Sequence, residues 1–345
     1  MKLTSILALF LTNYFFPTIV SDTECPIVSS IGDRRKNKNT LRLVQYNVEW
    51  LFIDYYSSSN CPGNGCTWHT LSDAQTHLSY VVNVIKTLQP DIINFCEIEG
   101  CDELNMLKEQ VDLSYNPYLK KGTDTSTGQN VGMLTKMDPL VSLYRSEERV
   151  SYPISGTKCG TTTASGTSGV SKHYITEFKI ASKNVAMIGA HLLAIPTDPS
   201  RCVQREAQAQ VLQNIVSSYI QKGYEIILIG DMNDYDAEVL DLNLDKPTSR
   251  VLDIMKGLDG QKKGTYILTN IATKIAQSDR YSDWWDSDNN CNTNSQKDLS
   301  MIDHILVTSN IMKKITSAYI YHGYREYCGK WDSDHWPVVI DINTA

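Results

Sequence analysis

Residues 333–342 read SDHWPVVIDI. In the second half, Val338, Ile340 and Ile342 alternate with Val339, Asp341 and Asn343. That is the period of a strand with at least one buried face. Asp334, His335, Trp336 and Pro337 crowd its mouth. Pro337 is tolerable there, because the first position of a strand can spare a ladder N–H. Trp336 reads as packing. A loop seldom needs an acid and an imidazole side by side merely to turn, so partners are expected elsewhere in the chain.

Other apolar runs end in the same way. Asn47 follows LRLVQY, Glu97 follows DIINFC, His191 follows VAMIGA, and Asp231 and Asn233 follow EIILIG. Asp303 and His304 interrupt the start of SMIDHILV. A carboxylate closing an apolar run lies against low-dielectric walls and needs a metal, a cation or several N–H donors. One such residue is an ordinary cap or turn. Repetition over six strand ends predicts one pocket rich in carboxylate, amide and imidazole. Oxygen donors suit Mg²⁺ or Ca²⁺, and zinc less well, since no cysteine joins the set. A metal, imidazoles and amide donors are what phosphoric-ester hydrolysis requires: a water to deprotonate, charge to stabilise and a leaving oxygen to satisfy.

Around these runs the chain alternates strand and helix. Leu71, Ala74, Leu78, Val81, Ile85 and Leu88 predict a helix over 72–88, with Ser72 and Gln75 as its capping box. A second amphipathic helix is expected over 200–221, stopped by Gly223. Further strands are expected at 129–136, 174–180 and 185–192. The pattern predicts one α+β domain of two packed sheets with helices outside.

The 345 residues carry a formal charge of −7, so nothing favours a salt-driven, non-specific nucleic-acid binder. A metal-dependent enzyme remains compatible, because the cation supplies the positive charge. Residues 1–21 have the layout of a signal peptide and predict a secreted protein. Residues 22–39 read as a basic arm whose run Arg34-Arg35-Lys36-Asn37-Lys38 is expected to be solvated. The nine cysteines predict disulfides with at least one thiol left over. Cys61–Cys66 is the best local pair, and Cys96 and Cys101 are also close. The Gly/Thr-rich segment 146–171 reads as a flexible surface loop.

The pieces QYNVEWLF, DIINFCEIEG, GAHLLA, ILIGDMND, SMIDHILV and SDHWPV occur in the order found in the endonuclease/exonuclease/phosphatase superfamily, the fold of deoxyribonuclease I, which the chain resembles over residues 40–342. The resemblance implies a four-layered α/β/β/α sandwich with two mainly antiparallel sheets, forming a catalytic domain over 40–345. It implies a metal (Mg²⁺, or else Ca²⁺ or Mn²⁺) held by Glu97, with Asn47 and Asp334. Glu49 is either a further ligand or a solvated acid. It implies that Asp303 orients His335, that Asp231 and Asn233 hold phosphate and the attacking water, and that His191 donates to the phosphate or leaving oxygen. Whether His335 or Asp231 deprotonates the water is left open. Family nucleases often place an Arg on a middle strand; here Lys172 or His173 stands in that stretch.

His191 points to the branch with deoxyribonuclease I, the sphingomyelinases and the inositol-phosphate phosphatases. A secreted, monomeric nuclease acting on DNA or RNA is the leading expectation, with Arg280 and Tyr281 near the nucleic acid. A secreted sphingomyelinase-like or other small-molecule phosphodiesterase is the alternative. A non-catalytic binding module of the same fold ranks last. In DRYSDWWDSDNNC (279–291), one Trp is expected to pack inward while the acids stay in water, and no stable membrane association is expected.

Overall fold

The structure is a computed structural model that describes residues 24–27, 31–55, 67–292, 294–324 and 332–345. The expected signal peptide and the Cys61–Cys66 pair lie outside the described residues. In chain order the elements are β1 (Thr40–Leu51), α1 (Leu71–Leu88), β2 (Ile92–Ile98), α2 (Cys101–Val111), β3 (Asn116–Leu119), β4 (Asn130–Thr135), the short pair β5 (Val150–Tyr152) and β6 (Gly166–Ser168), β7 (Lys172–Ile180) and β8 (Lys183–His191). Then follow α3 (Pro199–Gln221), β9 (Glu225–Asp231), α4 (Val251–Lys256), β10 (Thr269–Asn270), β11 (Asp283–Trp284), β12 (Leu299–Ser300), β13 (Asp303–Val307), β14 (Ile315–Ile320) and β15 (Val338–Asn343).

Two main sheets form, ordered β14-β15-β1-β2-β4-β3 and β10-β13-β9-β8-β7. Only the β1–β2 and β8–β9 pairs in them are parallel. Strand alternation builds the layers. In β1, Leu41 and Leu43 face the second sheet, where they meet Phe178, Met187, Ile229 and Ile305. Val44, Tyr46 and Val48 face outward, where they meet Leu78, Val81 and Ile85 of α1 and Leu104 of α2. On the far side, Ile188, Ile226 and Leu228 pack against Leu212 and Val216 of α3 and Ile254 of α4. Burying each such side chain contributes about 1.5–3 kcal/mol relative to leaving it exposed. The result is the expected four-layered sandwich.

Several local readings are corrected. The cap of α1 is Thr70, whose hydroxyl accepts from the Asp73 N–H while Asp73 answers the Thr70 N–H. The box lies two residues earlier than Ser72/Gln75, because Leu71 and Ser72 are already helical. The basic run is solvated only at Lys36, Asn37 and Lys38. Arg34 donates to Asp138 at 2.6 Å and to the Thr135 and Ser114 carbonyls, and Arg35 is buried on Asp33 and the Thr40 carbonyl. Segment 146–171 is tied down by the β5–β6 pair and by a Cys159–Cys202 disulfide to α3. Cys101 pairs with Cys25, not with Cys96, which is buried and free. No helix among the described residues is long and apolar enough to cross a membrane.

Candidate active site

The register of the second sheet sets four chemical residues in one row. Lys172 pairs with His191, His191 with Asp231, and Asp231 with Asp303. Cross-strand partners share a face, so all four point toward the same end of the sandwich. The row needs a close approach at Gly230, where a Cβ would stand 1.8 Å from the Ala190 carbonyl oxygen and φ is +154°. Only glycine fits there. The first sheet supplies Asn47 and Glu97. Glu97 sits at φ +67° and Asn233 at φ +48°, conformations that cost non-glycine residues energy and are tolerated where surrounding contacts hold them.

Asn47 joins the two sheets. Its amide nitrogen lies 3.2 Å from Glu97 Oε1, 3.0 Å from Asp231 Oδ2 and 3.3 Å from His335 Nε2. His335 Nδ1 donates to Asp303 Oδ2 at 2.7 Å. Behind that pair runs a buried relay between the sheets. The Tyr174 hydroxyl donates to Asn94, the Asn94 amide to Gln45 and the Gln45 amide to Asp303 Oδ1, while Ser282 donates to Oδ2. Every donor in the relay points toward the Asp303 carboxylate, which accepts at both oxygens, as a buried acceptor in a low-dielectric interior requires. Gln45 was readable only as an inward strand position; a polar residue in line with Leu41 and Leu43 is the signal that it has a partner to find.

Asp283 was missed. It was expected in water, yet it is buried, with Oδ1 3.5 Å from His335 Nε2 and Oδ2 accepting from Ser300. The β11–β12 pair and a bridge to His335 carry it inward. Burial raises its pKa, and His335 opposes the rise. The other half of that loop follows expectation: Trp284 is buried and Trp285 is 70% exposed.

Five carboxylates, Glu97, Asp231, Asp283, Asp303 and Asp334, stand within 4.0 Å of His191 or His335. Burial opposes charge on His335, but Asp303, Asp334 and Asp283 overcome it and hold the imidazole well above its ordinary range. His191 goes the other way: burial first, then the charges of Lys172 and His335, keep it neutral. Its Nδ1 has no hydrogen-bond partner among the described residues. Burial, with Asp303 beside it, pushes Asp231 up to about 7. Five acids against one imidazolium leave excess negative charge, and the donors are carboxylate and amide oxygens. That set fits a hard divalent cation. Glu49 lies at the rim, where its carboxylate accepts from the Asp334 N–H at 3.2 Å and from the Thr67 hydroxyl.

The remaining expected residues divide. Lys172 sits beside His191, its ammonium donating to Gln129 at 3.1 Å. His173 points to the opposite face, as strand alternation demands, and both ring nitrogens are used: Nδ1 donates to the Val170 carbonyl and Nε2 accepts from the Ser146 N–H. Arg280 is spent on the Ile275 and Leu240 carbonyls. Tyr281 stacks on His322 at 3.7 Å and meets the edge of Trp336, next to His335.

His173 has a measurable consequence. Burial, then the charge of Arg145, lower its pKa from 6.5 to about 4. A base depressed in the folded state binds its proton more readily when unfolded. Its stabilising effect is therefore full above pH 6.5 and is lost as pH falls toward 4, by up to about 3 kcal/mol. Urea unfolding across that window is expected to show a steeper loss for the wild type than for His173→Asn. Equal slopes would remove His173 from the account.

The comparisons with known proteins agree with this geometry. The profile of the Endonuclease/Exonuclease/phosphatase family matches residues 44–335. No curated protein matches significantly. Among solved structures, a 3′ phosphatase, NExo, from Neisseria bound to a product DNA hairpin aligns with TM-score 0.57 at 14% identity, covering 88% of this chain and 99% of that one. The Xenopus laevis APE2 catalytic domain aligns at 0.55 and 16%, covering 88% and 92%. An AP endonuclease from Archaeoglobus fulgidus aligns at 0.51 and 14%, covering 87% and 98%. At these identities the likeness speaks for the fold.

Proposed function

The chain belongs to the endonuclease/exonuclease/phosphatase family, and from that premise we propose that it is a secreted, Mg²⁺-dependent nuclease hydrolysing DNA or RNA phosphodiester bonds. The observation that carries the reading is His335, at the mouth of a first-sheet strand, paired with Asp303 and 4.0 Å from Asp231 of the second sheet. The two disulfides among described residues suit folding in an oxidising compartment.

The geometry favours one division of roles. An imidazole held charged by three acids is a poor proton acceptor, so His335 donates from Nε2 to a non-bridging phosphate oxygen. Asp231, with a pKa near neutrality, is suited to take the proton of the attacking water. The Asn233 N–H donates to Asp231 Oδ1 at 2.9 Å and the Asn47 amide to Oδ2 at 3.0 Å, which orients the carboxylate and leaves one lone pair of Oδ2 for that water. His191, neutral and 3.5 Å from Asp231 Oδ2, offers one N–H to the phosphate or the leaving oxygen. Glu97, with Asn47 and Asp334, would hold the cation, which when bound stabilises negative charge on the phosphoryl oxygens. Tyr281, half-buried against His322 and Trp336, offers the rest of its ring to a base or sugar.

Trp285 supports the second reading, a phosphodiesterase acting on a lipid such as sphingomyelin, because a largely exposed indole near the site could enter a bilayer. The acids at Asp286 and Asp288 oppose it on anionic surfaces. A paired assay separates them. Mature protein is incubated with plasmid DNA and with sphingomyelin vesicles, each with Mg²⁺ or EDTA. Nicking that EDTA abolishes is expected. Phosphocholine release with intact plasmid would sink the nuclease reading.

A further inference from the structure

Past Glu97 the chain carries a second acidic cluster outside the catalytic row. One carboxylate oxygen each from Asp54, Glu99 and Glu103 lies within 4.8 Å of the other two. Glu99 is 6% and Glu103 1% exposed. Acids so buried need compensation, yet among the described residues no other group donates to Glu99 Oε1 or Glu103 Oε1, and the two acids face each other. The groups that act most strongly on Glu103 by charge are themselves acids, Glu99 and Asp54. The other oxygen of Glu99 is engaged: Oε2 accepts from the N–H groups of Ile53 at 2.8 Å and Asp54 at 3.0 Å. Glu99 therefore clamps the segment after β1 and turns its second oxygen toward Glu103. Asp54 is exposed and leaves the cluster open to solvent on one side.

We propose that Asp54, Glu99 and Glu103 bind a Ca²⁺ ion distinct from the catalytic metal. Three carboxylates with an open side for water suit the six to eight oxygen ligands and flexible geometry of Ca²⁺ better than the strict octahedron of Mg²⁺. The ion fastens the end of β1 to the first turn of α2. Trp50, whose N–H donates to Glu97 Oε2 at 3.1 Å, lies in the same segment, so Ca²⁺ here steadies one wall of the catalytic pocket.

The test uses the full mature chain carrying Glu97→Gln, which weakens the catalytic site, with Ca²⁺ alone as probe. Equilibrium dialysis is expected to find one Ca²⁺ per chain in Glu97→Gln and none in Glu97→Gln/Glu103→Gln. Ca²⁺ at 100-fold over its Kd should raise the Tm of Glu97→Gln by about 3–6 °C, and amide exchange at Ile53 and Asp54 should slow. No bound Ca²⁺ in Glu97→Gln overturns the proposal. So does undiminished binding in the double variant, which would place the ion elsewhere. If the double variant fails to fold, exchange in Glu97→Gln decides: unchanged rates at Ile53 and Asp54 on adding Ca²⁺ overturn it.

Discussion

Truncation of His335 to alanine is expected to lower kcat under saturating Mg²⁺ by at least ~10²-fold. The side chain supplies the one strongly charged imidazole of the site, with Nε2 4.0 Å from Asp231 Oδ2 and 3.3 Å from the Asn47 amide nitrogen. The fold should survive, because Asp303 keeps the bonds from Gln45 and Ser282. The pH profile of the residual activity separates the two possible bases. His335 lowers the pKa of Asp231, so its removal should shift the acidic limb of kcat/KM upward in pH if Asp231 is the base. A limb that vanishes in His335→Ala would make His335 the base. Activity near wild type would end either role.

Arg205→Ala is expected to cost about 3–5 kcal/mol of unfolding free energy, the range for leaving a buried charge without its partner. Arg205 on α3 is wholly buried. It donates to Asp234 Oδ2 at 3.2 Å and to the carbonyls of Leu193 (3.0 Å), Ala194 (3.3 Å), Ile195 (2.9 Å) and Pro196 (2.8 Å). It thus ties together the two segments that leave the site after His191 and after Asn233. Arg205→Lys should rescue little, because an ammonium cannot span five acceptors. Arg205→Met with Asp234→Asn should lose less than the sum of the single changes, since the buried carboxylate no longer waits for a cation. Urea unfolding at 25 °C of the wild type, these variants and the Arg205→Met and Asp234→Asn single changes reads the effects, and a loss under about 1 kcal/mol for Arg205→Ala would show that the clamp is dispensable.

Much of the site was legible because strand chemistry is local. A period of two with a polar residue at the end of an apolar run marked Asn47, Glu97, His191 and Asp231, and polar residues at a strand's start marked Asp303 and His335, before any contact was known. The register then brings them together. Lys172 and His173 show where local reading stops. Both stand at the start of one strand, and only the pairing with His191 decides that Lys172 turns into the site and His173 away from it.

The two helices divide the same way. Apolar spacing alone located α1, but its cap moved to Thr70, since hydroxyl and amide must meet within one turn and several polar residues competed for the place. Helix α3 was legible as a helix and not as a carrier of buried polar groups. Arg205, Glu206, Gln208, Gln210 and Gln213 are buried beneath loops distant in sequence, and no periodicity reports a partner that far away.

Asp283 is the sharpest case. Among neighbouring acids of one loop it carries no mark of its own, and 52 residues separate it from His335. Residue pattern reports which face of an element is apolar, because that depends on neighbours two to four positions away. Which loop acid is drawn from water to an imidazolium depends on the path of the whole loop, through the β11–β12 pair and the bridge to His335. The free energy that decides it, burial against ion pairing, exists only once the distant strand is in place.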